Sequence, residues 1–300
     1  MKKHEIILTR ICVALSVVSI VWLGFNSSMY LKIPELFIRP KIYIILMTLG
    51  LLFFFISQMV IILSTILSLK KSPGMSLAGI ILIALGVISI IFLLFHFVAF
   101  DQLEEAFQYK DPYSSMLKLA WLTELVLFSF FLYSFIYFIV LSRTGNKYIT
   151  TKSVSWEQIF VAMNITGIVC GIAGILLVLF FSQTYHGIQI PVFYKIVPYF
   201  FVLSPYLLAL CGWGIRYYRD RRSGWYDEKL SSNINRSGML ALLASLGLTI
   251  GLVILNFHKI STVFYRIDIV GVITVFLLPF YCFIVLLLFS ATALYKFRNN

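Results

Sequence analysis

The chain has 300 residues, of which 61% are hydrophobic and 12% charged, with a mean hydropathy of +0.97 and a net charge of +12. Soluble globular domains carry roughly 25% charged residues, so a soluble enzyme is excluded, and an integral membrane protein is implied. The basic balance then needs no nucleic-acid partner, because an anionic leaflet attracts juxtamembrane Lys and Arg. Cys12, Cys170, Cys211 and Cys282 all fall in apolar runs without a CxxC pair, which argues against a disulfide framework or a zinc site.

A spanning helix needs about 20 mostly apolar residues. Eight runs meet that length, at roughly 8–30, 42–69, 76–100, 116–142, 158–182, 194–215, 237–257 and 268–295. None alternates as the strands of a transmembrane barrel do, so the predicted fold is an all-α integral membrane protein with eight transmembrane helices. The N-terminal stretch reads as a retained first helix rather than a secretory signal, since Arg10 interrupts it and no small-x-small cleavage site follows. It closes in an interfacial belt of Trp22, Asn26, Ser27, Ser28 and Tyr30. The loop from Lys70 to Gly74 carries Pro73–Gly74 turn chemistry, and the polar segment 143–156 reads as a linker. Gly167 with Gly171, and Gly247 with Gly251, have the spacing that lets helix backbones approach in lipid. Pro205 and Pro279 interrupt the sixth and eighth runs, where a kink frees carbonyls that need internal partners.

An internal duplication organises the chain. The stretch ALGVISIIFLLFHFVAFDQLEE from Ala84 recurs, weakened, as SLGLTIGLVILNFHKI from Ser245, each opening on Leu-Gly and closing on Phe-His. The loops Lys32–Phe37 and Gln189–Tyr194 share an Ile-Pro pair, each with a second proline further on, Pro40 and Pro198. The expected domains are therefore a four-helix repeat over 1–142, a cytoplasmic linker over 143–156 and a second four-helix repeat over 157–300. An even number of helices per repeat makes the copies parallel. With both termini inside, 16 of the 24 Lys and Arg lie on the cytoplasmic face, as the positive-inside rule requires. Ile, Phe, Lys and Asn usage leans towards a bacterial cell membrane.

Few residues in the spans carry chemistry. Glu124 is an acid well inside the fourth run, and intramembrane carboxylates mark proton or cation sites by default. His96 precedes Asp101, Glu104 and Glu105, and His258 stands at the matching place in the second half, so a His and carboxylate cluster for protons or transport is one reading. The plainer reading places the histidines at headgroup depth before a solvated acidic loop, and ligand spacing of the HExxH kind is missing. Asn164 in the fifth run is expected to bond to a neighbouring helix. Arg216, Arg219 and Arg222 share helical spacing and, with Arg221, form a basic segment that docks a partner or anchors to lipid; its helix should break near Ser223 and Gly224.

No Walker, GxSxG or HExxH motif occurs. Each half offers one helix-end histidine, unlike the haem A synthase family, which pairs histidines on two helices of each half; no cofactor and no metal are expected. The function that follows is a non-catalytic membrane subunit of a transport or export system, in contact with membrane lipids and coupled to a cytoplasmic ATPase or another membrane subunit. Two alternatives stand beside it: a self-sufficient secondary transporter or lipid flippase using Glu124, and an intramembrane metal or redox enzyme using the histidines.

Overall fold

The computed structural model describes residues 3–31, 40–69, 76–99, 102, 115–148, 156–184, 192–221, 228–255 and 276–298. These form eight helices: α1 (Lys3–Leu31), α2 (Pro40–Leu69), α3 (Ser76–Val98), α4 (Ser115–Tyr148), α5 (Trp156–Thr184), α6 (Val192–Arg221), α7 (Glu228–Leu255) and α8 (Leu278–Arg298). All eight are long and apolar enough to cross a membrane, and a multi-pass membrane protein follows. By contacts the chain divides into two compact units, Met1–Val154 and Ser155–Asn300.

In the first unit α1 packs on α2, α2 on α3, α3 on α4 and α4 on α1, which closes a ring. The inward stripe of α3 is Gly79, Leu82, Gly86, Ser89, Leu93 and His96, a spacing of three and four that follows one side of a 3.6-residue helix. Its outward side carries Ile80, Val87, Ile91, Leu94 and Phe95. The inward stripe of α1 is Thr9, Cys12, Ser16, Ser19 and Leu23. Small and polar residues thus face inward and large apolar ones outward. Lipid gives no hydrophobic drive between helices, so close packing and hydrogen bonds select the interior face. Helix α4 is buried along most of its span, far more than α1, α2 or α3. Its Phe130 and Phe131 are fully enclosed, with Phe130 against Gly86 and Phe131 against Phe54 at 5.8 Å between ring centroids.

In the second unit α5 packs on α6 and on α8, and α8 also packs on α7. Helix α5 presents a glycine column, Gly167, Gly171 and Gly174, into which α8 seats Ser290, Leu287 and Phe283 in antiparallel order. The spacing expected of Gly167 and Gly171 thus works between helices. Gly247 and Gly251 differ: among the described residues nothing lies within 4 Å of the place their Cβ would take. The reason is rotational, because α7 buries Ser237, Ala241 and Ser245, a stripe on another side.

The prolines also separate. Pro205 lies inside α6 and removes the N–H that would bond to Phe201 O; the Ser204 hydroxyl donates to that carbonyl instead, at 2.8 Å. Pro198, within the sixth run, also lies inside α6. Pro279 stands second in the α-helical part of α8, directly after a π-helical step at 276–277, and the eighth run before 276 lies outside the described residues. Helix α6 runs on through Arg216 and Arg219 to Arg221, so the basic segment starts as helix.

The glycine column has a measurable consequence. A Cβ at Gly171 would meet Leu287 Cβ at 2.8 Å and the backbone Cα at 3.0 Å, atoms whose places the helix fixes and no rotamer change can move. Gly171→Leu should therefore destabilise the purified protein by about 1–3 kcal/mol in detergent thermal unfolding. Gly247→Ala should instead leave stability unchanged or raise it by up to about 1 kcal/mol, through helix propensity alone.

Candidate functional site

Polar side chains meet in the interior of the first unit, near the middle of its spans. Gln58 lies close to the centre of the α2 span Thr48–Leu69 and is fully buried. Its Nε2 donates to Ser89 Oγ at 2.7 Å, and Ser89 in turn donates to Gly86 O at 2.9 Å. About one turn away, Ser16 Oγ of α1 lies 2.7 Å from Ser134 Oγ of α4. Each of these two hydroxyls also sits by a carbonyl of its own helix, Cys12 O and Phe131 O, so one proton bridges the pair while the other bonds back to the helix.

The layer has a top and a bottom. Towards the end where α2 finishes, the Cys12 thiol lies beside Ser64, whose hydroxyl donates to Val60 O, and Ser68 bonds to Tyr137 across α2 and α4. Both pairs join neighbouring helices directly. Towards the opposite end, where α1 and α3 finish, the polar atoms are left open. Counting seven residues from Cys12 and back seven from Ser64, two turns of antiparallel helices, brings Ser19 level with Ser57. Both are fully buried, and both hydroxyls, like Gln58 Oε1, have no hydrogen-bond partner among the described residues. The same holds for Trp22 Nε1 and for both ring nitrogens of His96.

His96 is 3% exposed, at the last turn of α3. It therefore continues the buried stripe of that helix and faces the bundle interior at the end of the span. Contact between Gly86 and Phe130 sets the register of α3 and α4, and ten residues on from Gly86 and back from Phe130 puts His96 level with Ala120, about one turn from Glu124. Glu124 itself is half-buried on α4. Asp101, Glu104, Glu105, His258 and Arg222 lie outside the described residues, so the structure does not speak to the cluster with His96. Arg216, Arg219 and Arg221 are placed on the last turns of α6 by their backbone alone. Among the described residues no three of His, Cys, Asp and Glu gather as metal ligands would.

Asn164, expected to bond across helices, donates instead to Phe160 O of its own helix at 2.9 Å. The residues that sequence reasoning missed are Gln58, Ser57, Ser89, Ser16, Ser19 and Ser134. The available signal was the three-and-four spacing of Thr9, Cys12, Ser16 and Ser19, together with an amide at the centre of an apolar run. Every group in this mid-span layer is neutral, able to give or take hydrogen bonds but not to act as a nucleophile with an adjacent base. That suits water, protons or a polar solute.

A double-mutant cycle of Ser16→Ala and Ser134→Ala should give a coupling of about 0.6 kcal/mol and no more than about 1.7, the range for hydrogen bonds between helices in lipid. Gln58→Leu, which leaves Ser89 bonded to Gly86, should not lower the unfolding temperature; a loss above about 1 kcal/mol would make the amide a structural brace. The chain matches no protein-family model, no curated protein and no solved structure.

Proposed function

We propose that this chain is the non-catalytic membrane component of a transport or export system in a cell membrane, with both termini cytoplasmic. The observation that carries the reading is the neutral polar layer of Gln58, Ser89, Ser16 and Ser134 at mid-span, inside a bundle whose outward faces are apolar. Neutral polar side chains at that depth either tie helices together or line solute paths, and the unpartnered Gln58 Oε1 favours a path. The excess of Lys and Arg on one set of loops supports the orientation.

Two parallel four-helix repeats are part of the same proposal. Beyond the paired Leu-Gly and Phe-His runs, both units pack the first helix on the second, the first on the fourth and the third on the fourth. Both also place a serine of the fourth helix at the crossing with the first, Ser134 on Ser16 and Ser290 on Gly167. In this scheme the motive power comes from a cytoplasmic ATPase or another membrane subunit docking at Arg216, Arg219, Arg221 and Arg222.

A second reading, a self-sufficient proton-coupled transporter or flippase, is favoured by the level of Glu124 beside that of His96. Native mass spectrometry of the chain purified in mild detergent from its host separates the two. A fixed-ratio partner that is lost when Arg219, Arg221 and Arg222 are all changed to Glu supports the subunit reading. A homo-oligomer or monomer carrying lipid alone overturns it, and Glu124→Gln should then abolish proton-driven uptake in liposomes.

A further inference from the structure

We propose that water enters the first unit from the His96 end and reaches Gln58, giving protons an aqueous path from one membrane face to mid-bilayer. Among the described residues of this unit, each buried polar side-chain atom without a partner lies between the mid-span layer and that end: Gln58 Oε1, Ser57 Oγ, Ser19 Oγ, Trp22 Nε1 and the two ring nitrogens of His96. In the other half the polar side chains close on one another or on their own helix. Cys12 meets Ser64, Ser68 meets Tyr137, and Ser64 and Thr65 bond back to Val60 O and Ile61 O. One half of the bundle is saturated and the other is not.

Lipid cannot make up the difference. A buried hydroxyl or amide without a partner costs about 2–7 kcal/mol in an apolar medium, and hydrocarbon offers neither donor nor acceptor. Ser19 and Ser57 make the case sharper, because they forgo the bond to their own helix that Ser16, Ser64, Ser129 and Ser134 all make. A water placed between them accepts from both hydroxyls and donates to Gln58 Oε1, the two to four partners that buried water takes.

From Ser89 to His96 is seven residues along α3, about 10 Å. A file of three or four waters at about 2.8 Å spacing covers that length. His96 can take a proton on one ring nitrogen and release one from the other, which passes charge along the file without net chemistry. The other charged groups of this half among the described residues are half-buried Glu124 and exposed Lys118 at the rim, both on α4, and Lys41 in the first turn of α2. In this half α1 contributes none. The path stops at Gln58, short of the Ser16–Ser134 pair, which bonds directly as Tyr137 and Ser68 do beyond it, so this conformation is open to one side only.

The test is silver-ion access in proteoliposomes, using a background in which Cys12, Cys170, Cys211 and Cys282 are replaced. Silver ions are small and hydrated, react with thiols and do not partition into the apolar bilayer. Added on the His96 side, they should abolish maleimide labelling, carried out after unfolding in SDS, of Ser19→Cys and Ser57→Cys and leave Ser64→Cys and Ser134→Cys labelled. Full labelling retained at all four positions, or lost at all four, overturns the proposal. Should the cysteine-free background fail to fold, hydroxyl-radical footprinting of the unmodified protein decides: His96 is oxidised while the equally buried Met163 is spared, and an unmodified His96 overturns the path. The proposal rests on the bundle spanning the bilayer and not on transport, so silver access with no solute uptake would sink the transport reading alone.

Discussion

The structure depends on one constraint, that hydrocarbon supplies no hydrogen bonds. Helices meet it for the backbone, and hydroxyl side chains meet it by bonding to the carbonyl three or four residues back. Thr9, Ser64, Thr65, Thr123, Ser129, Thr166, Thr249 and Thr292 all do so. Ser204 turns the same device to a local defect, capping the carbonyl that Pro205 leaves free. Such bonds cost the helix little and hide the hydroxyl from lipid. Against that background the side chains that do something else stand out, whether they bond across helices as Gln58 does or find no partner on their own helix as Ser19 and Ser57 do.

The two units answer the same constraint with different materials. In the first, α4 is the enclosed member, and its neighbours reach it through Ser16 on Ser134, Ser68 on Tyr137 and Phe54 on Phe131. In the second, α5 and α8 approach through glycines, with Phe283 and Leu287 seated where a Cβ would otherwise stand. Glycine packing yields a contact built on dispersion and shape, with the Ser290 hydroxyl as the polar atom seated against Gly167. Hydrogen-bonded packing leaves groups that can change partners.

The number, order and approximate limits of the helices were legible because a 20-residue apolar run in a charge-poor chain has few other destinations. Which face of each helix points inward was not. Helix α3 is apolar on every side, so periodicity in hydropathy is nearly silent, and the interior is marked by Gly79, Gly86, Ser89 and His96. Reading small and polar residues as the buried stripe would have placed His96 inside the bundle and drawn attention to Gln58. The spacing of Gly247 and Gly251 shows the limit of that rule, since α7 turns another side to α8.

Gln58 is the residue that packing alone explains least. A leucine of similar volume would fill the same space between α2 and α3 without bringing an amide to mid-bilayer, and Ser89 would keep its bond to Gly86 O. A hydrogen bond between helices in lipid returns only about 0.6 kcal/mol on average, whereas an amide with one group unsatisfied costs about 1–3 kcal/mol. On those magnitudes the Gln58–Ser89 pair is a net expense for stability, with Oε1 left over. The balance reverses once a mobile polar species visits the site, because the same Oε1 then offers that species a partner at the depth where lipid offers none. Ser57 beside it and Ser19 across from it extend the offer to two helices, and His96 extends it towards one membrane face. A row of open valences on one side of a closed row is what separates a path that stops at mid-bilayer from one that leaks through.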